Sequence, residues 1–192
     1  MRNNTRRLTY LALTVSFALI LSFIESRIPA FVAIPGVKMG LANIAVIFTL
    51  YKFGIKEAVA VSLVRVVLVS MLFGSPISML YSIAGAVLSL TGMYLLKRFT
   101  PLSEIAVSVI GGVAHNVGQI IMASIMLGTN VVTYYLPFLL LSGTIAGIAV
   151  GVASAMLIKR VDLKLITKAN RGKPRADFAE DIHDKKEGID EG

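Results

Sequence analysis

The sequence predicts an all-α integral membrane protein, a six-transmembrane-helix bundle with both termini in the cytoplasm. Three observations lead there. The 192 residues are 56% hydrophobic and 16% charged, whereas a soluble domain is about 45–50% apolar and about 25% charged. Apolar stretches recur at 8–24, 40–53, 55–73, 76–96, 101–127 and 133–158. The cations between these stretches fall on alternate connections.

The first stretch follows Arg2, Arg6 and Arg7. A basic start before an apolar run resembles a signal peptide, but no small-residue cleavage site follows and more spans do, so it reads as an uncleaved first helix. The second stretch is short against the about 20 residues that cross a bilayer. Charge argues that it crosses nonetheless. With six crossings, Arg2, Arg6, Arg7, Lys52, Lys56, Lys97, Arg98, Lys159 and Arg160 share one side, and only Arg27 and Lys38 face the other. Were it re-entrant, the cations from Lys52 to Arg160 would change sides and reverse the positive-inside bias. Gly74, Ser75 and Pro76 mark a tight turn before the fourth stretch, and Gly128, Thr129 and Asn130 mark one before the sixth. The connection at 25–39 is the long one and contains Pro29, Pro35 and Gly36. It is either a simple connector or a lid over an outward-facing site.

The domain division follows composition. Residues 1–160 form the transmembrane domain and hold twelve Lys/Arg against Glu25, Glu57 and Glu104. Residues 161–192 hold seven Lys/Arg and eight acids and lack an apolar face, which predicts a disordered cytoplasmic tail. The net charge of +8 therefore belongs to the membrane part and reports topology in a multi-pass protein of the cytoplasmic membrane. A nucleic-acid partner would want a basic patch with stacking aromatics, which the sequence lacks. With no cysteine, a disulfide framework and thiolate chemistry are excluded. His115 and His183 are the two histidines, too few and too far apart in sequence for a metal site, and no cofactor is expected. No G-x-x-x-x-G-K-[ST] loop supplies ATP-driven motion, and no mid-span carboxylate offers a proton relay.

Polar residues within the spans are the functional candidates, because each is costly in lipid. Arg65 stands mid-span in L-V-R-V-V-L, where arginine costs roughly 2.5–3.5 kcal/mol on insertion scales. It is either a cation facing an anion-binding cavity or a structural arginine bonded within the bundle. His115, Asn116 and Gln119 make a polar stripe on the fifth span, through spacings of three and four residues. They either line a cavity or bond between helices. Lys38 and Asn43 stand at the outer start of the second span, where helix N–H groups favour an anion; the alternative for Lys38 is an interfacial anchor. Counted at about 1.5 Å per residue, Arg65 and Gln119 each lie roughly 12 Å below the outer ends of their spans, and Asn43 roughly 6 Å below its own. One outward-opening pocket fits those depths. Gly143, Gly147, Gly151 and Ala155 read as a close-contact stripe, as do the small residues of the fourth span.

The strings P-G-V-K-M-G-L-A-N-I at 35–44, L-V-R-V-V-L at 63–68, L-F-G-S-P at 72–76 and A-H-N-V-G-Q at 114–119 together resemble the Gx transporter family, also labelled heptaprenyl diphosphate synthase component I. That family is similar to the S-components of energy-coupling-factor transporters. The resemblance covers about residues 8–158 and implies a six-helix subunit that captures a small molecule, with a membrane scaffold and ATPase subunits supplying energy. It also implies substrate-binding roles for Lys38, Asn43, Arg65, His115, Asn116 and Gln119. S-components carry an A-x-x-x-A docking face on the first helix; here the matching positions are Ala12 and Ser16. Prenyl chain elongation normally needs Mg²⁺ on clustered aspartates, and the spans offer none. Two expectations follow: a substrate-binding transporter subunit for a small anionic or polar molecule, or a non-catalytic accessory component of polyprenyl diphosphate synthesis. No catalytic residue is assigned under either.

Overall fold

The computed structural model describes residues 2–27 and 40–161. The expectations for Lys38, for the loop beyond Arg27 and for the tail beyond Val161 lie outside those residues. The described residues form α1 (Arg2–Arg27), α2 (Asn43–Lys52), α3 (Ile55–Phe73), α4 (Pro76–Phe99), α5 (Glu104–Leu127) and α6 (Leu136–Arg160), with a 3₁₀ turn at Val131–Tyr135. No strand occurs among them.

Local chemistry sets the boundaries. Gly54 precedes α3 at φ +116°, a conformation that only glycine adopts freely. Before α4, Ser75 Oγ accepts from the Ser78 amide at 3.2 Å, while Ser78 Oγ accepts from the Ser75 amide at 2.9 Å. With Pro76 as the first helical residue, this reciprocal cap fixes the turn read from the sequence. Ser103 caps α5 through the Ala106 amide, and Gly128 closes that helix at φ +62°. The sequence reading starts the last span at Thr133. The structure starts α6 three residues later, because Pro137 favours the first helical turn and the preceding residues take the 3₁₀ form.

Four helices are long and apolar enough to cross a membrane: 5–27, Pro76–Phe99, Glu104–Leu127 and 131–160. Together with their outward-facing Leu, Ile, Val and Phe side chains, they make this an all-α membrane protein. The six-crossing expectation is only partly met. Helix α3 has 19 residues, rising about 28 Å, but carries Lys56, Glu57 and Arg65. Helix α2 has 10 residues and rises only about 15 Å, half the hydrocarbon thickness. Its residues from Ile44 to Leu50 are all buried. A short helix apolar on every side belongs inside a bundle, and α2 sits there, against α1, α3 and α6. Ile44, Val46, Ile47 and Leu50 form the centre of the core with Ala58, Leu90, Met93, Val107 and Val150.

Close approach organises the other half. Helix α5 lies flat against α4 and α6. A Cβ on Gly147 would stand 2.7 Å from Val109 Cα, and one on Gly118 would stand 2.7 Å from Ala84 O. Small residues let these backbones meet where lipid supplies no hydrophobic drive for association. At one end of the bundle, Arg7 pairs with Glu57 and ties α1 to α3. At the same end, Lys97 Nζ donates to Leu50 O at 2.6 Å and lies 4.5 Å from the Tyr51 ring centre. The terminal carbonyls of α2 lack helical partners, so a lysine there satisfies one and meets the negative end of the helix dipole.

Two stability outcomes follow. Gly147→Val forces a side chain onto the α5 backbone and lowers stability by about 1–3 kcal/mol, an overpacking cost. Lys97→Met removes the α2 tether and lowers it by about 1 kcal/mol. Thermal unfolding followed by circular dichroism in a single detergent measures both.

Candidate functional site

At the end opposite Lys97, five helices converge on a cavity of about 40 Å³. Helix α1 contributes Ser22 and Glu25 near its last turn. Gly40 and Asn43 come from the approach to α2. Helix α3 contributes Arg65, Val66, Val69 and Ser70, α4 contributes Ser82, and α5 contributes His115 and Gln119. The wall is thus one guanidinium, one carboxylate, one imidazole, two carboxamides and several hydroxyls around a little apolar surface. The volume suffices for a few waters, so a larger guest requires the walls to part.

The sequence-predicted residues divide as follows. Asn43, Arg65, His115 and Gln119 meet around this one cavity. Arg65 is 8% exposed and Gln119 9%. Asn116 faces elsewhere: its Nδ2 donates to Leu139 O at 2.7 Å, which bonds α5 to α6. It is 4% exposed and serves the helix contact, the interhelical alternative for that stripe. Successive helical residues are turned by about 100°, so His115 and Asn116 look toward different neighbours. Ala12 and Ser16 are exposed on α1, where Ser16 Oγ donates to Ala12 O at 3.0 Å. The inward side of the same helix is small as well, with Thr14, Ala18 and Ser22 buried.

Glu25 is the residue that sequence reasoning did not select. It closes the first span, where an acid reads as an ordinary end residue. In the structure its carboxylate accepts from the Gly40 amide and acts electrostatically on Arg65. The buried cation therefore shares its chamber with an anion. Ser22, Ser70 and Ser82 were equally silent, because a serine in a span reads as a small contact residue. The helix-dipole expectation at α2 is modified too. The Asn43, Ile44 and Ala45 amides donate to the Gly40, Leu41 and Ala42 carbonyls, so these N–H groups are already engaged. Gly40 itself has φ +78°, and a Cβ there would reach within 3.0 Å of Asn43 Nδ2. Only glycine makes this turn and leaves the carboxamide in place.

Electrostatics governs what the chamber can do. A charge removed from water is tolerated when paired or hydrogen-bonded. Glu25 offsets Arg65 while the chamber is small, and an entering anionic group competes with Glu25 for the guanidinium. Planar guanidinium groups favour carboxylate and phosphate oxygens, which they bind in a bidentate fashion.

These features define a class: an all-α membrane protein with a polar, charged chamber at one end of its bundle. A family model described as heptaprenyl diphosphate synthase component I matches residues 14–157. The chain belongs to that family, as its sequence strings suggested. Comparison with curated proteins and with solved structures gave no match.

Glu25→Gln removes the carboxylate that half-buried Glu25 brings to the chamber of buried Arg65 and lowers thermal stability by about 1–3 kcal/mol, part of the cost of leaving a buried charge uncompensated. Adding Arg65→Met recovers much of that loss, because removing both charges is far cheaper than removing one. A double-mutant cycle by thermal unfolding reads the coupling; strictly additive effects would show that the two charges do not interact.

Proposed function

We propose that this protein is a substrate-capture membrane subunit, similar to the S-components of energy-coupling-factor transporters, for a small anionic or polar molecule. The observation that carries the reading is the convergence of Arg65, Asn43, His115 and Gln119 from three helices on one cavity. Arg65 attracts the anionic group. Asn43, His115 and Gln119 orient the guest, with Lys38 as a further cation at the α2 approach. In this reading the chain crosses the cytoplasmic membrane six times, the 40–53 segment that contains α2 passing through the interior of the bundle, both termini are cytoplasmic, and the cavity end faces outward. The alternation of positive charge supports that orientation. Energy comes from separate scaffold and ATPase subunits, with the exposed Ala12 and Ser16 on α1 as the docking face.

The family description favours a second reading, a non-catalytic accessory component of heptaprenyl diphosphate synthesis. An arginine-bearing chamber suits a diphosphate as well as a carboxylate. The carboxylates of 1–160 stand singly on α1, α3 and α5, which supports handling of substrate over Mg²⁺-dependent chain elongation.

The two readings separate on what the protein carries. Purification from native membranes in mild detergent, extraction and mass spectrometry yield a water-soluble polar molecule under the capture reading. An isoprenoid diphosphate in its place establishes the accessory reading. Arg65→Gln, checked for a monodisperse elution profile, loses the bound molecule by about tenfold or more, the loss expected for one charged hydrogen bond. ATPase and scaffold subunits co-purify with the wild-type protein, and Ala12→Leu with Ser16→Leu releases them while bound molecule is retained.

A further inference from the structure

A second, smaller cavity adjoins the first. The two share Gly40 and Asn43. From Asn43 the second runs between α2, α4, α5 and α6, past Ile47, Met93 and Val150, and it is lined by the hydroxyl-bearing Ser89 and Ser108. It is narrow, about 10 Å³, room for one water-sized group. Glycines form its sides: a Cβ on Gly111 would stand 2.6 Å from Met93 Sδ and 3.3 Å from Ser89 Oγ.

The two serines, like Ser124 farther along α5, depart from the common pattern of helix hydroxyls. Hydroxyls in helices ordinarily donate back to the carbonyl one turn earlier. Thr14, Thr49, Ser82 and Ser154 do so here, at 2.7–2.8 Å. Ser89 and Ser108 are 3% and 2% exposed, and neither hydroxyl has a hydrogen-bond partner. A buried hydroxyl left unsatisfied is costly, and alanine would fill the same space without the cost. Both hydroxyls line the same crevice, and the crevice shares Gly40 and Asn43 with the Arg65 chamber.

Depth gives the spacing. Arg65 lies eight residues before the end of α3, and Ser89 lies thirteen residues after the start of α4. These helix ends are joined by the two residues Gly74 and Ser75, and counted from that shared turn the steps are about 12 Å and about 20 Å. The difference of about 8 Å is an offset in depth and so the least that a ligand reaching both must span, a little over two extended residues of chain at about 3.3–3.6 Å each.

We infer that the crevice is a second binding subsite, taking the far end of an elongated ligand whose anionic end meets Arg65. That far end carries a hydrogen-bonding group, a hydroxyl, carbonyl or amide, which Ser89 and Ser108 satisfy as it passes Asn43. A plain hydrocarbon tail leaves both hydroxyls unpaired and is disfavoured. The inference rests on the capture reading of the Arg65 chamber and adds the length and chemistry of the guest.

The test uses three carboxylates of one chain length: hexanoate, its ω-hydroxy derivative and its ω-amide, adipamate. Calorimetric titration into the full-length protein in lipid nanodiscs gives the affinities. The two polar-ended compounds bind about tenfold more tightly than hexanoate, one hydrogen bond's worth of discrimination. Ser89→Ala with Ser108→Ala abolishes the preference and leaves hexanoate binding intact. The same double variant keeps or raises the thermal midpoint of the empty protein, an outcome that structural serines would not give. Equal binding of the three compounds overturns the second subsite, as does a preference that survives the double variant. In either case, binding that Arg65→Gln abolishes still upholds the chamber. If none of the three binds in an Arg65-dependent manner, chamber and subsite fall together.

Discussion

One charge governs this molecule's interior. Arg65 is set mid-helix in an otherwise apolar segment, and hydrocarbon does not accept a bare guanidinium. The bundle answers by gathering polar groups from five helices around it, among them the Glu25 carboxylate near the end of α1. The chamber, the bend at Gly40 and the polar positions on α5 are all consequences of keeping that cation away from lipid. A folded bundle without them would leave it unpaired.

The short α2 is the complementary constraint. It is apolar all round and buried, and its 10 helical residues rise about half the hydrocarbon thickness. Both its ends are fastened by side chains or amides of its neighbourhood: Lys97 at Leu50 O, and Glu25 at Gly40 just before its start. It works as a central pillar whose top forms part of the chamber wall and whose flank forms part of the crevice below.

Much of this was legible in the sequence, for a physical reason. In a membrane protein a polar side chain within an apolar run is conspicuous, so Arg65, Asn43, His115 and Gln119 stood out before any geometry was known. Hydropathy also located the helices, with α3 bounded as expected, α4 beginning at Pro76 and α5 ending at Leu127 as expected. What hydropathy does not encode is rotation. The spacing from His115 to Gln119 and that from Asn116 to Gln119 both describe a stripe, and only the contact with α6 assigns Asn116 to Leu139 O. Glu25 was hidden because span ends commonly carry charge. Ser89 was hidden because serine is also the commonest way to make a helix smooth, and its lack of a back-bond is visible only in three dimensions.

The glycine contacts have a mechanical consequence. Where α4, α5 and α6 touch, glycines such as Gly118 and Gly147 leave no room for even a Cβ beside the neighbouring backbone. Surfaces mated that closely make α4, α5 and α6 the most tightly packed part of the bundle. The other three meet one another and that part more sparingly, with α1 held partly by polar ties. Under the capture reading, making room for a guest larger than a few waters would fall to that looser trio, with Glu25 at the moving edge.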